Sequence, residues 1–471
     1  MKNYLSLAML AFAGCLAINS DSTAYRLADV VVVVQKSADK KTTAELKLAA
    51  DDFAGALSAK CGAKIAVFEE GAEPADAKAK IYLGKTAAAA AAGLTGAEMR
   101  NGDWCVRNEA GRGFIFAKTP WGLRGGVRDF LSRELDYHVY FQDGHDTFVP
   151  DPGAKIPAGE RTVRPAVYNH HAYHAMYNGN IYPTIKPLWE RYSRMNNFND
   201  DTRSIEGNYR VSHRAPGCHS QFAYCDPAKY FKDHPEYFCV GPDGKRHGVP
   251  NSQSQLCFTN PDTYRICLES LERFVAEDRK ANPTDYPCIY DFTQLDNSSF
   301  LCYCENCKKV IAKYNRVPGG HSEGGDAGLQ LEFVNRLARD IRKKYPDAQI
   351  RTFAYVSTEC APKPGTIAVE PNVVIWWCDV YSHSDHTLPL ETAGHFNMKQ
   401  AEELGDWMKL TKNIEVWDYM LYTDAFPEVS ADAIAADAKF FAKGNIPKVF
   451  MESEYHGQPF YELNTYVWSR V

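Results

Sequence analysis

Four apolar runs in the C-terminal two thirds of this chain end in carboxylates set among aromatic residues. One reads Ile289-Tyr290-Asp291-Phe292-Thr293-Gln294-Leu295-Asp296-Asn297, and a second Val416-Trp417-Asp418-Tyr419. The others are Phe450-Met451-Glu452-Ser453-Glu454-Tyr455 and Trp376-Trp377-Cys378-Asp379. Carboxyl groups so placed suit glycosidic bond cleavage, which needs one carboxyl kept protonated by a dry environment and a second that is ionised. Aromatic faces beside them suit the CH side of a sugar ring. Taken singly, an acidic strand end is more often a helix cap or a surface charge, and Trp376, Trp377 and Trp417 can equally be packing. The joint occurrence carries the weight.

A second cluster follows Asp296 directly: Cys302-x-Cys304-x-x-Cys307. Three soft ligands this close, with a fourth such as Cys257, suit zinc or an iron–sulfur centre. Structural zinc sites more often show two separated pairs, and exported chains oxidise such thiols, so disulfides are the expectation ahead of a structural zinc, and no cofactor is expected. Either way the cluster would pin the loop carrying Asp296. His170, His171, His174, His213 and His219 show no His-Glu-x-x-His spacing, and neither a phosphate-binding Gly-rich loop nor a Gly-x-Ser-x-Gly elbow occurs.

These residues need a scaffold, and the periodicity supplies one. Strand-like runs Ala166–His171, Met195–Asn199, Leu256–Thr259, Cys288–Leu295, Ile350–Val356, Val373–Cys378, Asn413–Leu421 and Val449–Glu452 alternate with helical patterns at Pro261–Lys280, Asp326–Lys344, Met398–Leu410 and Ala431–Lys443. An eightfold β-α alternation predicts a (β/α)8 TIM-type barrel, in which catalytic groups stand at the carboxyl ends of strands. Residues 200–254 show no clear period and read as an elaborated loop at that rim. Ahead of the barrel, a helix over Thr43–Lys60, strand-like Ile65–Phe68, Ala79–Gly84 and Gly113–Ala117, and a helix over Trp121–Leu135 predict a small α/β domain. The Pro/Gly-rich stretch from Asp151 to Arg161 marks the boundary, giving domains over residues 25–155 and 164–471.

With 471 residues, 45% hydrophobic and 24% charged, the chain can bury a large core. Its 53 Lys and Arg stand against 59 Asp and Glu without a basic run, which speaks against nucleic acid as a partner. Residues Leu5 to Ile18 form an apolar run of signal-peptide length, too short to span a bilayer. Phe12-Ala13-Gly14-Cys15 resembles a bacterial lipobox with Phe where Leu is usual, so export as a lipoprotein anchored at Cys15, or with cleavage near Ala24, is the expectation: periplasmic, secreted or cell-surface.

The chain also resembles the bacterial family described as domain of unknown function 4838. Some members of that family form glycoside hydrolase family 163, endo-β-N-acetylglucosaminidases acting on N-glycans. The matching segments are His234–Phe238, Gly244–Arg246, Gln255–Pro261, Thr293–Asp296 with Cys302-x-Cys304-x-x-Cys307, Ala354-Tyr355 with Pro362-Lys363, Asn372–Val374 and Val416–Tyr419. Ile81–Gly84 and Trp121–Gly125 resemble the α-glucuronidase N-terminal-like domain that accompanies the family. The resemblance implies retaining, substrate-assisted cleavage of a glycan, in which the substrate's acetamido oxygen attacks the anomeric carbon, one carboxylate orients the amide and another is acid/base. Carried onto this chain, that mechanism makes Asp296 and Glu452 the expected pair, with Asp418 and Asp291 in reserve; the expected substrate contacts are His219, Asn297, Tyr355, Trp376, Trp377, Trp417 and Tyr419. One departure is Leu295, where relatives are expected to carry a polar residue. The chain also ends inside what reads as its last helix, where relatives are expected to continue. Two rival readings are an exo-acting α-glucuronidase-like hydrolase, which needs a basic pocket, and a non-catalytic glycan-binding surface protein.

Overall fold

The computed structural model describes residues 23–38, 40–139, 146–165, 169–174, 211–249, 254–283, 286–297, 301–319, 322–380, 385–421, 429–446, 448–453 and 460–468. The signal segment with Cys15, the strand expected at Met195–Asn199, and Glu454 and Tyr455 lie outside the described residues. The chain divides into two compact units, Met1–Pro165 with Tyr182–Arg194, and Ala166–Ile181 with Met195–Val471.

The first unit is built on Val30–Val34 (β1), Lys40–Cys61 (α1), Val67–Glu69 (β2), Ala79–Leu83 (β3), Trp104–Glu109 (β4), Arg112–Ala117 (β5), Pro120–Leu135 (α2) and Gly159–Val163 (β6). The strands form one sheet in the order β6-β4-β5-β3-β1-β2. β1 is a run of five valines, as a strand covered on both faces requires, and it pairs in parallel with β2 and β3. Phe53 of α1 meets Phe130 of α2 edge to face at 5.3 Å within the main core of this unit. The other face of the sheet carries Val33, Tyr82, Phe114 and Phe116. Thr119 starts α2 by accepting a hydrogen bond from the Gly122 amide, with Pro120 in the first turn.

The second unit contains Asn169–His174 (β7), Pro261–Ala281 (α3), Ile289–Asp291 (β8), Glu305–Tyr314 (α4), Gly325–Lys344 (α5), Gln349–Ala354 (β9), Val373–Cys378 (β10), Asn397–Leu410 (α6), Ile414–Leu421 (β11), Ala431–Lys443 (α7), Lys448–Ser453 (β12) and Tyr461–Trp468 (α8). All six strands are parallel, in the order β7-β12-β11-β10-β9-β8. The chain is thus a mixed α/β protein with a half-barrel sheet. Asn260 caps α3, its side chain accepting from the Asp262 and Thr263 amides, and Pro261 follows at the first helical position.

Two expectations need correction. Leu256–Thr259 is not a strand of this sheet. Leu256 makes one antiparallel bridge to Phe238, and its neighbours turn away into α3. The rung beside β8 is instead Val211, which pairs in parallel with Ile289. The strand expected over Cys288–Leu295 stops at Asp291: the Phe292 amide still reaches the Arg351 carbonyl of β9, but from Thr293 onward the hydrogen bonds go to loops. The Thr293 amide donates to Ser220 Oγ, and the Gln294 side chain donates to the Tyr355 carbonyl.

Candidate active site

Side chains alternate across a strand, and the contacts fix which ones share the face opposite α7. From the strand starts to the strand ends that face carries three tiers. The lowest is ionic: Arg351 of β9 donates to both oxygens of Asp291 at 2.6 and 3.0 Å and to Glu415 of β11 at 2.7 Å, and Lys448 of β12 completes the chain on Glu415 at 2.5 Å. Above it lies an aromatic floor. Arg351 sits 3.7 Å over the Trp376 ring. Trp376 meets Phe353 at 5.3 Å and Trp417 at 4.9 Å, and Trp417 meets Phe450 at 4.4 Å.

The third tier is the candidate site. The Trp417 indole donates to Glu452 Oε2 at 2.7 Å, and the Tyr355 hydroxyl donates to Asp296 Oδ1 at 3.0 Å. Burial raises the Tyr355 phenol, and Asp296 and then Glu452 raise it further. The Cys218 thiol is pushed up to about 11, by burial first and then by Asp291, Glu452 and Asp296. Both carboxylates therefore act on the same two side chains. Asp296 is exposed, whereas Glu452 is 8% exposed.

His219 closes the tier, with its ring 5.8 Å from Phe353 and 6.1 Å from Tyr355. Its Nδ1 lies 2.9 Å from the Gln294 carbonyl. A carbonyl only accepts, so Nδ1 carries the proton, and a neutral ring leaves Nε2 as an acceptor. His219 and Val356 both sit in the left-handed region, at φ 54° and 51°. That conformation is costly for a β-branched residue, and such strain gathers where a site over-determines the backbone.

The loop carrying Asp296 is held from behind. The buried Gln255 side chain brackets Leu295, donating to its carbonyl and accepting from its amide, both at 3.1 Å. The Asn297 amide donates to the Ser254 carbonyl at 2.9 Å. Asn297 is therefore an anchor of the loop, contrary to the expected substrate contact.

Several other assignments change. Asp291 belongs to the ionic tier below the aromatic floor. Trp376 is buried within that floor, and Trp377, on the opposite face of β10, is fully buried; neither offers a face to a sugar. Asp418, one residue from Trp417, points to the opposite face as well. There it faces His386, at 3.5 Å from Nδ1, and the Tyr419 ring lies 5.6 Å from the same imidazole. The expected disulfides are absent among the described residues, where every cysteine is a free thiol. Even Cys257 and Cys304 stand 3.8 Å apart, against about 2.05 Å for a bond. Sequence reasoning missed Cys218, Phe353 and the ionic tier. The signal for the last was a charged residue near the start of each strand, Arg351, Glu415 and Lys448, two positions before an aromatic one.

The cluster behind Asp418 yields a pH prediction. Burial lowers the His386 imidazole, but Asp379 and Asp418 outweigh it and hold it at about 9. Burial and then Asp418 push Asp437 of α7 up to about 8. Both groups hold their protons more tightly folded than unfolded, where the values are about 6.5 and 3.9. Their stabilisation is complete below the unfolded values and drains as pH rises through the folded ones. The thermal midpoint is therefore expected to fall between pH 6 and pH 9.5. Asp437→Asn should remove its own share of the slope, which ends near pH 8, and leave the share due to His386, which runs from about 6.5 to about 9. Scanning fluorimetry across that range tests it, and a flat wild-type profile would contradict the protonated pair.

A family model described as "Domain of unknown function (DUF4838)" matches residues 127–471. No curated protein matches the chain. Among solved structures, the GH20 β-N-acetylhexosaminidase from Streptomyces coelicolor A3(2) is similar at 11% identity and a TM-score of 0.47, covering 96% of this chain and 89% of that one. The Flavobacterium johnsoniae chitobiase is similar at 14% identity and 0.47, covering 96% and 67%. A family GH115 4-O-methyl-α-glucuronidase specific for decorated arabinogalactans is similar at 11% and 0.46; the alignment covers 93% of this chain and 56% of that enzyme.

Proposed function

This chain belongs to the family described as Domain of unknown function (DUF4838), and we propose that it is an exported glycoside hydrolase that cleaves a glycan beside N-acetylglucosamine. In this reading residues 25–155 are an accessory domain, and residues 164–471 close into a (β/α)8 barrel with its active site at the strand ends. The observation that carries it is that Asp296 and Glu452 each accept a hydrogen bond from a side chain of one aromatic cluster, Tyr355 and Trp417, which pack with Cys218 on Phe353, Trp376 and Phe450.

The chemistry is retaining and substrate-assisted. The acetamido oxygen attacks the anomeric carbon as the bond to the leaving oxygen breaks and that oxygen takes a proton. Water then opens the cyclic intermediate and returns a proton to the same residue. Exposure divides the roles. Asp296, open to solvent and hydrogen-bonded to Tyr355, exchanges the proton. Glu452, buried and held on one oxygen by the Trp417 indole, stays fixed to orient the amide.

The α-glucuronidase reading is weaker on this face, since Arg351 and Lys448 are committed to Asp291 and Glu415 and neither is left for a uronate. Leu295 gives the non-catalytic reading little support: its side chain is buried, and its backbone stays clamped by Gln255, so Asp296 remains in place. The test is a matched pair of aryl chitobiosides, one N-acetylated and one with free amines, followed by NMR of the nascent anomer. Cleavage of the acetylated substrate alone, with the β-anomer formed first, is expected. Equal turnover of the free amine, or inversion, would overturn the mechanism.

A further inference from the structure

We propose that Cys257, Cys302, Cys304 and Cys307 form a structural zinc site that fixes the loop bearing Asp296. Their four sulfurs lie within 4.8 Å of one another, and the two separations from Cys257, to Cys304 and to Cys307, are 3.8 and 3.9 Å. Four thiolates placed tetrahedrally at about 2.3 Å from a zinc ion stand about 3.8 Å from each other. That spacing is far too wide for a disulfide and too narrow for thiolates spread around the corners of an iron–sulfur cube. Three of the four are buried, as a closed structural site requires.

The surroundings suit the double negative charge of a tetrathiolate zinc centre. The Val240 amide donates to Cys302 Sγ at 3.3 Å, and the Cys307 amide donates to Cys304 Sγ at 3.5 Å. Cys304 is the N-cap of α4 and Cys307 lies in its first turn, where the helix dipole favours anions. The Arg246 guanidinium lies against Cys257, within reach of the charges on Cys302 and Cys304.

The topology states what the metal would do. Cys257 follows Gln255 by two residues, and Gln255 is the side chain that brackets Leu295. Cys302 comes six residues after Asp296. Zinc would therefore join the clamp behind Asp296 to the chain that leaves it, closing a ring of covalent, coordinate and hydrogen bonds around the carboxylate. It would take no part in the chemistry, because the cluster is tied off from behind by the clamp.

The experiment begins with full-length protein expressed with zinc and purified without chelator. Elemental analysis should give about one zinc per chain, with little iron. Protein produced in cobalt medium should show the intense visible bands of tetrahedral cobalt thiolate. Cys307→Ser and Cys257→Ser should lower bound metal at least tenfold; if either fails to fold, the wild-type metal content and cobalt spectrum still decide. Stripping the metal with a mercurial and a chelator should raise the protease susceptibility of the chain at Leu301–Cys304. Absence of zinc, an iron-loaded site, or mass-spectrometric detection of disulfides among these four cysteines would each overturn the proposal. None of these readings depends on glycosidase activity, so failure here leaves the hydrolase reading intact, and the converse holds.

Discussion

Asp296→Asn is expected to lower kcat/KM on a GlcNAc-linked glycan by roughly 10²–10⁴, the range of a lost general acid/base, while sparing the first step on a nitrophenyl glycoside. A nitrophenolate leaves without protonation, so removing the proton donor costs little there and much on a sugar leaving group. Glu452→Gln should behave differently and lose both activities, because an amide-orienting carboxylate is needed whatever departs. Neither change should disturb the fold. Asparagine still offers an oxygen to the Tyr355 hydroxyl, and glutamine one to the Trp417 indole. Steady-state kinetics of both variants on both substrates decide the matter. Undiminished turnover in both would end the assignment, and the reverse pattern of leaving-group sensitivity would exchange the two roles.

How much of this could be read from the sequence follows from where the information sits. Amphipathic helices were legible: Ala431–Lys443 matches its expected bounds, and the pattern read as Asp326–Lys344 forms Gly325–Lys344. Their stripe against the sheet is a local property of the sequence. One strand was legible to its ends, Val373–Cys378, which forms as expected. Strand identity at the far edge was not. Leu256 and Phe258 are apolar because they fill a buried loop, and a short apolar run does not say whether it pairs in a ladder. Val211, the true rung, is a single residue without a pattern. In the first unit Val30–Val34 escaped because an uninterrupted valine run shows no alternation.

The candidate site divides along the same line. Asp296 and Glu452 came from their position at strand ends, and the structure places them around common neighbours. Face was the information that adjacency alone could not give. Trp376 and Trp377 are consecutive, as are Trp417 and Asp418, so within each pair one residue points to the aromatic floor and the other to the helices. A reading that takes a strand end as a block keeps both residues together, and the pleat separates them. The thiols were misread for another reason: disulfides were expected from the compartment that the leader implies, whereas the separations among four sulfurs depend on folding that brings Cys257 to Cys304 and Cys307 across about fifty residues.

Arg351→Met is expected to cost the second unit about 3–5 kcal/mol, the range for breaking a buried ion pair from one side. Asp291, Arg351, Glu415 and Lys448 are all buried. Two carboxylates depend on this one guanidinium, which donates to both oxygens of Asp291 and to Glu415. Burial pushes Glu415 up, but Lys448 and Arg351 outweigh it and hold it at about 2. Removing Arg351 leaves Glu415 with Lys448 and leaves Asp291 without its guanidinium. Methionine keeps the packing over Trp376 while removing the charge, so the loss reads as electrostatic. Adding Asp291→Asn to Arg351→Met should recover part of it, because a neutral amide is less costly to bury than an unpaired carboxylate. Denaturant unfolding of the single and double variants measures the coupling. The same series tests the displacement of Asp291 from the catalytic list. If Asp291 only balances Arg351 beneath the aromatic floor, Asp291→Asn lowers stability far more than it lowers kcat on folded protein. A folded Asp291→Asn protein of wild-type stability that had lost turnover would return Asp291 to the chemistry.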